Sequence, residues 1–140
     1  MAEFPDAPET VLAEHLAQLL DDTGLAVYQK VGAIPERGIR IDGGEPTSVD
    51  EYTMITPLPS IADGRAGMTY RVQFFTRRRG GIAEVRAWAA QLRAQLDHRA
   101  YVPQVLGISW SEEFSSTDFE PDTQGRAAVA ATYNFRGRRP

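Results

Sequence analysis

Apolar residues recur along this chain with two periods, one near 3.6 and one of two, and these periods place its elements. Val11, Leu12, His15, Leu16 and Leu19 keep helical spacing and predict an apolar stripe on a helix from about Ala7 to Leu20. Asp6 with Glu9 three residues later fits a capping box, Pro8 is tolerated in the first turn, and Gly24 is placed to end the helix in a left-handed conformation. The same spacing returns from about Ile82 to Asp97, where Ile82, Val85, Trp88, Ala89, Leu92 and Leu96 make a second stripe. Alternation marks the strands. Met68 to Thr76 sets Tyr70, Val72 and Phe74 on one face and Arg71, Gln73 and Phe75 on the other. Ala127 to Arg136 gathers Ala127, Val129, Ala131, Tyr133 and Phe135 on one face. Glu51 to Pro57 alternates too, with Pro57 and Pro59 ending it or confining it to a sheet edge, and the Asp63-Gly64 turn signal joins it to the next strand as a hairpin. Leu25 to Val31 reads as one more strand.

The remaining stretches are polar or broken. Gly32 to Asp50 is punctuated by Pro35, Gly38, Gly43, Gly44 and Pro46, with a short extended piece around Ile39 to Ile41. Tyr101 to Trp110 holds one or two short extended pieces, and Glu112 to Gln124 reads as a polar loop. Loops of this length in a compact domain are usually functional or lie against a partner. The order of elements predicts an α+β, two-layer domain: a mostly antiparallel or mixed β-sheet of about 4–6 strands packed by two amphipathic helices, with long loops. Residues 1–140 have the size of one such domain.

Composition narrows the chemistry. Hydrophobic residues at 42% and charged residues at 24% exclude wholesale disorder, and the lack of cysteine excludes disulfides, thiolate metal sites and cysteine nucleophiles. Met1 to Asp6 lacks the basic and apolar pattern of a secretory leader, and no apolar run approaches the ~20 residues that span a bilayer, so a soluble protein made in a cytoplasm, with no membrane partner, is expected. Charge is uneven: residues 1–70 hold 4 Lys/Arg and 12 Asp/Glu, residues 71–140 hold 11 and 7. Complementary subunit faces or a basic face near nucleic acid would fit, but interleaving of the halves in the fold is the plainer reading.

No motif for catalysis stands out. His15 lies on the apolar helix face and reads as a hydrogen-bonded core histidine, and His98 reads as a helix-end cation. The acids Asp42, Glu45, Asp50 and Glu51, and Glu112, Glu113, Asp118, Glu120 and Asp122, fall in Gly/Pro-rich stretches without calcium-loop spacing. The serines near residue 110 lack a nucleophile elbow, and Gly80-Gly81 lacks a phosphate-binding lysine. Neither a catalytic, a cofactor nor a metal site is expected, and the chain reads as an interaction protein rather than an enzyme. Two basic clusters, Arg77, Arg78, Arg79 and Arg136, Arg138, Arg139, would form one patch if their strand ends met; solubilising turns explain them equally well. Trp88 and Trp110 read as core residues. Phe114 and Phe119 are apolar side chains in a polar stretch, hence candidates for insertion into a neighbour.

The helix "VLAEHLAQLLDDTG" leading into "LAVYQKV", the strand "MTYRVQFFTRRRGG" entering the helix "IAEVRAWAAQLRAQL", and the closing "AAVAATYNFRGRR" together resemble the tail terminator proteins of long-tailed bacteriophages, also labelled minor capsid or minor tail proteins. The resemblance is one of element patterns over most of the chain. It implies a structural protein of the virion tail at its head-proximal end, made in the host cytoplasm. There a homohexameric ring caps the tail tube, ends its polymerisation and joins the tail to head-completion or neck proteins, with genomic DNA passing through the lumen without sequence-specific recognition. Neighbouring head–tail connector or neck roles share its size and style, and a small ligand-binding domain or enzyme is the remaining alternative. The resemblance implies a subunit-interface or lumen position for Arg77, Arg78 and Arg79, with Arg136, Arg138 and Arg139 candidates for the same on their charge, and contacts between rings for the segments 32–50, which holds Asp42 and Glu45, and 112–124.

Overall fold

The computed structural model describes residues 4–140; Met1 to Glu3, part of the stretch read for a leader, lie outside the described residues. The elements are α1 (Pro8–Asp22), β1 (Gly38–Ile41), β2 (Tyr52–Asp63), β3 (Gly67–Arg79), α2 (Ile82–Leu96), β4 (Arg99–Ala100), β5 (Trp110–Phe119) and β6 (Arg126–Arg138). They form an α+β domain whose one mixed sheet runs β1-β2-β3-β6-β5-β4. Only β1, parallel to β2, departs from antiparallel pairing.

Both helices lie on the same side. Leu12, Leu16 and Leu20 of α1 and Trp88, Leu92 and Leu96 of α2 share a core with Ile55, Tyr70, Val72, Phe74, Ala131, Tyr133 and Phe135. The alternations foreseen in β3 and β6 thus face the helices, and burying each large side chain contributes about 1.5–3 kcal/mol. The opposite face is covered only at one corner, where Ile34 and Val49 pack on Tyr52, Met54 and Phe75.

The structure departs from the sequence pattern at several places. α1 is rotated relative to its predicted stripe: Ala13 and Ala17 are buried and His15 is exposed, its Nδ1 3.0 Å from Val11 O. Small alanines let the helix approach the sheet, a signal that counting large apolar residues misses. The capping box is absent, because the N-cap is Ala7 and Glu9 instead accepts a 2.8 Å hydrogen bond from Ser60 of β2. Gly24 does end α1 at φ +76°, with Leu25 N–H returning to Leu20 O.

Leu25 to Val31 is no strand; only Val27 bridges to Gly38. Two of its other backbone groups are taken by side chains, Tyr28 N–H by Asp21 and Leu25 O by the Trp88 indole N–H. Strand β2 continues past Pro57 and Pro59 to Asp63. This is possible because β1 pairs only as far as Ile55, so both prolines sit where β2 has no outer neighbour, next to a bulge between Leu58 and Ile61.

The largest correction concerns 112–124. Most of it is β5, paired to β6 through Phe119, and the true loop is only 120–125. Asp122 closes that loop by accepting from the Gln124 and Arg126 N–H groups. The stretch at Tyr101 to Trp110 is the reverse case: Arg99–Ala100 supply the short strand and 101–109 turn irregularly.

Candidate interaction surface

At the C-terminal end of β3 the arginine triplet is bound into the chain. Arg77 is 5% exposed. Its Nε donates to Asp50 O at 3.0 Å, its Nη2 to Val49 O at 2.8 Å and Pro46 O at 3.4 Å, and its guanidinium lies 4.5 Å from the Tyr52 ring centroid. One side chain thereby straps segment 46–50 over the sheet. Arg78 pairs with Glu51, which also holds Arg37, and Arg79 pairs with Asp50. Arg126, beside Arg79 in the β3–β6 ladder, reaches both Asp50 and Asp122. The hydrogen bond from Arg79 holds the Asp50 carboxyl below the usual range, and that from Arg126 lowers Asp122 to about 2. Burial, then the negative charge of Glu45, pushes the Tyr52 phenol up to about 12. Arg78, Arg79 and Arg126 with Asp50, Glu51 and Asp122, and Arg77 on its carbonyls, therefore form one internally compensated corner. Asp42 and Glu45 stay exposed on the turn after β1, and the Asp42 N–H ties that turn to Ile55 O at 3.0 Å.

The second cluster is elsewhere. Antiparallel pairing sets Arg77 opposite Ala128 and Arg136 opposite Thr69. At ~3.3 Å per residue the two clusters stand about 26 Å apart along the sheet, so they make no common patch. Arg136, Arg138 and Arg139 are exposed, and none has an ion pair among the described residues. Their backbone is nonetheless fixed: Tyr70 Oη donates to Arg138 O at 2.6 Å, Arg138 N–H to Leu106 O and Arg139 N–H to Ala66 O.

Phe114 and Phe119 are strand residues. Phe114 sits at the register shift of β5, 61% exposed, with the Arg71 guanidinium 5.4 Å from its ring centroid. Phe119 is 46% exposed and packs on Phe75 at 5.8 Å. Beyond Ser111, where β4 stops, β5 has no outer neighbour, so the sheet is open along β5 from Glu112 and along β2 from Thr56. Arg71 and Arg126 were overlooked in sequence. Alternation already put Arg71 on the helix-free face, but only the fold shows that no carboxylate among the described residues pairs with it.

Other features carry less chemistry. Shallow grooves run along α1, lined by Glu14, His15, Gln18 and Lys30, and beside Tyr101, Gly107 and Arg138. Among the described residues no three His, Asp or Glu gather as a metal site, and no helix is long and apolar enough to cross a membrane. His98 lies just past α2 with its ring 5.7 Å from that of Trp110. Trp88 is 6% exposed and Trp110 half-buried.

No protein-family model matches the chain, and no curated protein sequence does. Among solved structures, its fold is similar to that of a chain of the "Virion of native gene transfer agent (GTA) particle", with a TM-score of 0.57 and 15% identity over 94% of this chain and 94% of that one. At that identity the likeness is one of fold.

Proposed function

We propose that this chain is a structural virion protein of a phage-like particle, the tail-terminator subunit whose homohexameric ring caps the tail tube and meets the head-completion or neck proteins. The observation that carries this reading is the likeness to a chain of a gene transfer agent virion over nearly the full length of both. The open edges support it. A ring repeats one heterologous contact and closes by rotation, which requires two different, complementary surfaces on each subunit. The two open stretches, β5 with Phe114 and Phe119 on one side and β2 with Ile61 on the other, are such a pair. They are chemically unlike, since prolines interrupt the β2 edge only. DNA entering or leaving the particle passes through the lumen of this ring.

Native mass spectrometry of the purified chain, with negative-stain images of the same sample, tests the reading. A discrete six-subunit species with annular particles is expected. A stable monomer at high protein concentration overturns it.

A further inference from the structure

The helix-free face of the two central strands differs from both the core face and the sheet edges. Cross-strand register places Thr69, Arg71 and Gln73 of β3 on this face beside Arg136, Asn134 and Thr132 of β6. These are the side-chain types that hold phosphate and sugar oxygens, and they lack the apolar centre of a protein–protein interface. Arg138 extends the row by strand alternation, its stem running past Gly107, and Arg65 and Arg139 are exposed at the adjoining turn and tail. None of these five arginines has an ion pair among the described residues, whereas Arg77, Arg78, Arg79 and Arg126 at the other end are all engaged by carbonyls or carboxylates. Along β3, β6 and β5 the one carboxylate in register on this face is Glu112, opposite Asn134. Apolar side chains flank the row on the outer strands: Leu58 opposite Arg71 and Ile61 opposite Thr69 on β2, and Trp110 opposite Arg136, with Phe114 and Phe119, on β5.

We infer that this face binds the sugar–phosphate backbone of double-stranded DNA without reading its sequence, with Arg71, Arg136 and Arg138 as the principal phosphate contacts. An acidic protein surface could meet the same charges, but the neutral hydrogen-bonding residues between the arginines favour the nucleic acid. The inference goes beyond the ring reading and does not need it: binding is measured on the full chain in whatever oligomer it forms.

The test is fluorescence anisotropy with two labelled duplexes of unrelated sequence, titrated from about 50 to 200 mM salt. Equal affinity for both duplexes is expected, with log K falling against log salt at a slope of about −3 or steeper, since each neutralised phosphate contributes about −0.9. Arg71→Gln/Arg136→Gln/Arg138→Gln lowers affinity at least about tenfold and flattens the slope by about 2 to 3. Arg86→Gln, which removes one equal charge from α2 where Asp118 pairs it, stays within about twofold. If circular dichroism shows that the triple variant does not fold, the exposed Arg136→Gln alone serves, with an expected loss of about threefold. Absence of duplex binding by the unaltered chain, an unchanged triple variant, or an equal loss in Arg86→Gln overturns the inference. So does a triple variant that keeps its DNA affinity but loses its native mass, which assigns the face to a protein neighbour. Rings without DNA binding, or binding without rings, separate this inference from the function proposed above.

Discussion

A buried guanidinium that donates to three carbonyl oxygens is costly to remove, because each acceptor then lacks its partner in a place water cannot reach. Arg77→Ala is expected to destabilise the fold by about 2–4 kcal/mol, read as a lower urea midpoint, with the 46–50 segment exchanging its amide protons faster. A neutral effect would mean that the strap is held by Val49 and Tyr52 packing alone. Tyr52 gives the complementary case. Its hydroxyl is buried without a partner, so Tyr52→Phe changes stability at neutral pH by less than about 1 kcal/mol. At high pH the sign is set by the raised phenol pKa of about 12 against the ordinary value of 10.0. Folding favours the neutral phenol; that stabilisation is whole below about pH 10 and disappears as pH rises through about 12. Tyr52→Phe is therefore expected to gain about 1–2 kcal/mol on the unaltered chain between pH 10 and 12, measured by melting temperature across that range. Tyr133 is pushed in the same direction by burial, so part of the alkaline loss survives the substitution. The charge of the arginine triplet was plain in the sequence, but its role was not. The acceptors of Arg77 are main-chain oxygens of Pro46, Val49 and Asp50, and no residue identity announces a carbonyl.

Elements were legible in proportion to how one-sided their burial is. β3, β6 and α2 each face the core with large apolar side chains at a constant period, and their predicted faces are the observed ones. β5 fails this criterion. Its outer half, Phe114 to Phe119, is exposed on both sides, so its polar sequence carries no alternation and only the backbone ladder to β6 makes it a strand. α1 was found but misrotated, because two of its buried positions are Ala13 and Ala17. β2 shows how an open edge is controlled. Pro57 and Pro59 withhold two donors where a foreign strand would otherwise pair. Pro57→Thr/Pro59→Thr is expected to restore those donors and to add species larger than the native oligomer, seen by light scattering. A monodisperse double variant would show that the bulge and the exposed turn already protect this edge.

For the whole molecule, the sequence conveyed the architecture, while the grouping of surfaces came only with the topology. The arginine clusters are separated by the length of the β3–β6 ladder, one neutralised and one without an ion pair among the described residues, and neither distance nor pairing can be read along the chain. What results is a sheet with helices on one face, a basic polar strip on the other, and unlike open edges between them.

Strand β6, the last strand of this sequence, lies in the interior of the sheet between β3 and β5. During synthesis on the ribosome, β1 to β3 with α1 and α2 can emerge as one fragment, but β5, with β4 paired to it, cannot join that sheet until residues 126–138 arrive. The basic strip, half of which belongs to β6, and the supported β5 edge then come into being together, when β6 is added. Premature association of nascent chains is thus limited by strand order: a polypeptide without residues 126–138 lacks both a continuous six-stranded sheet and the basic strip.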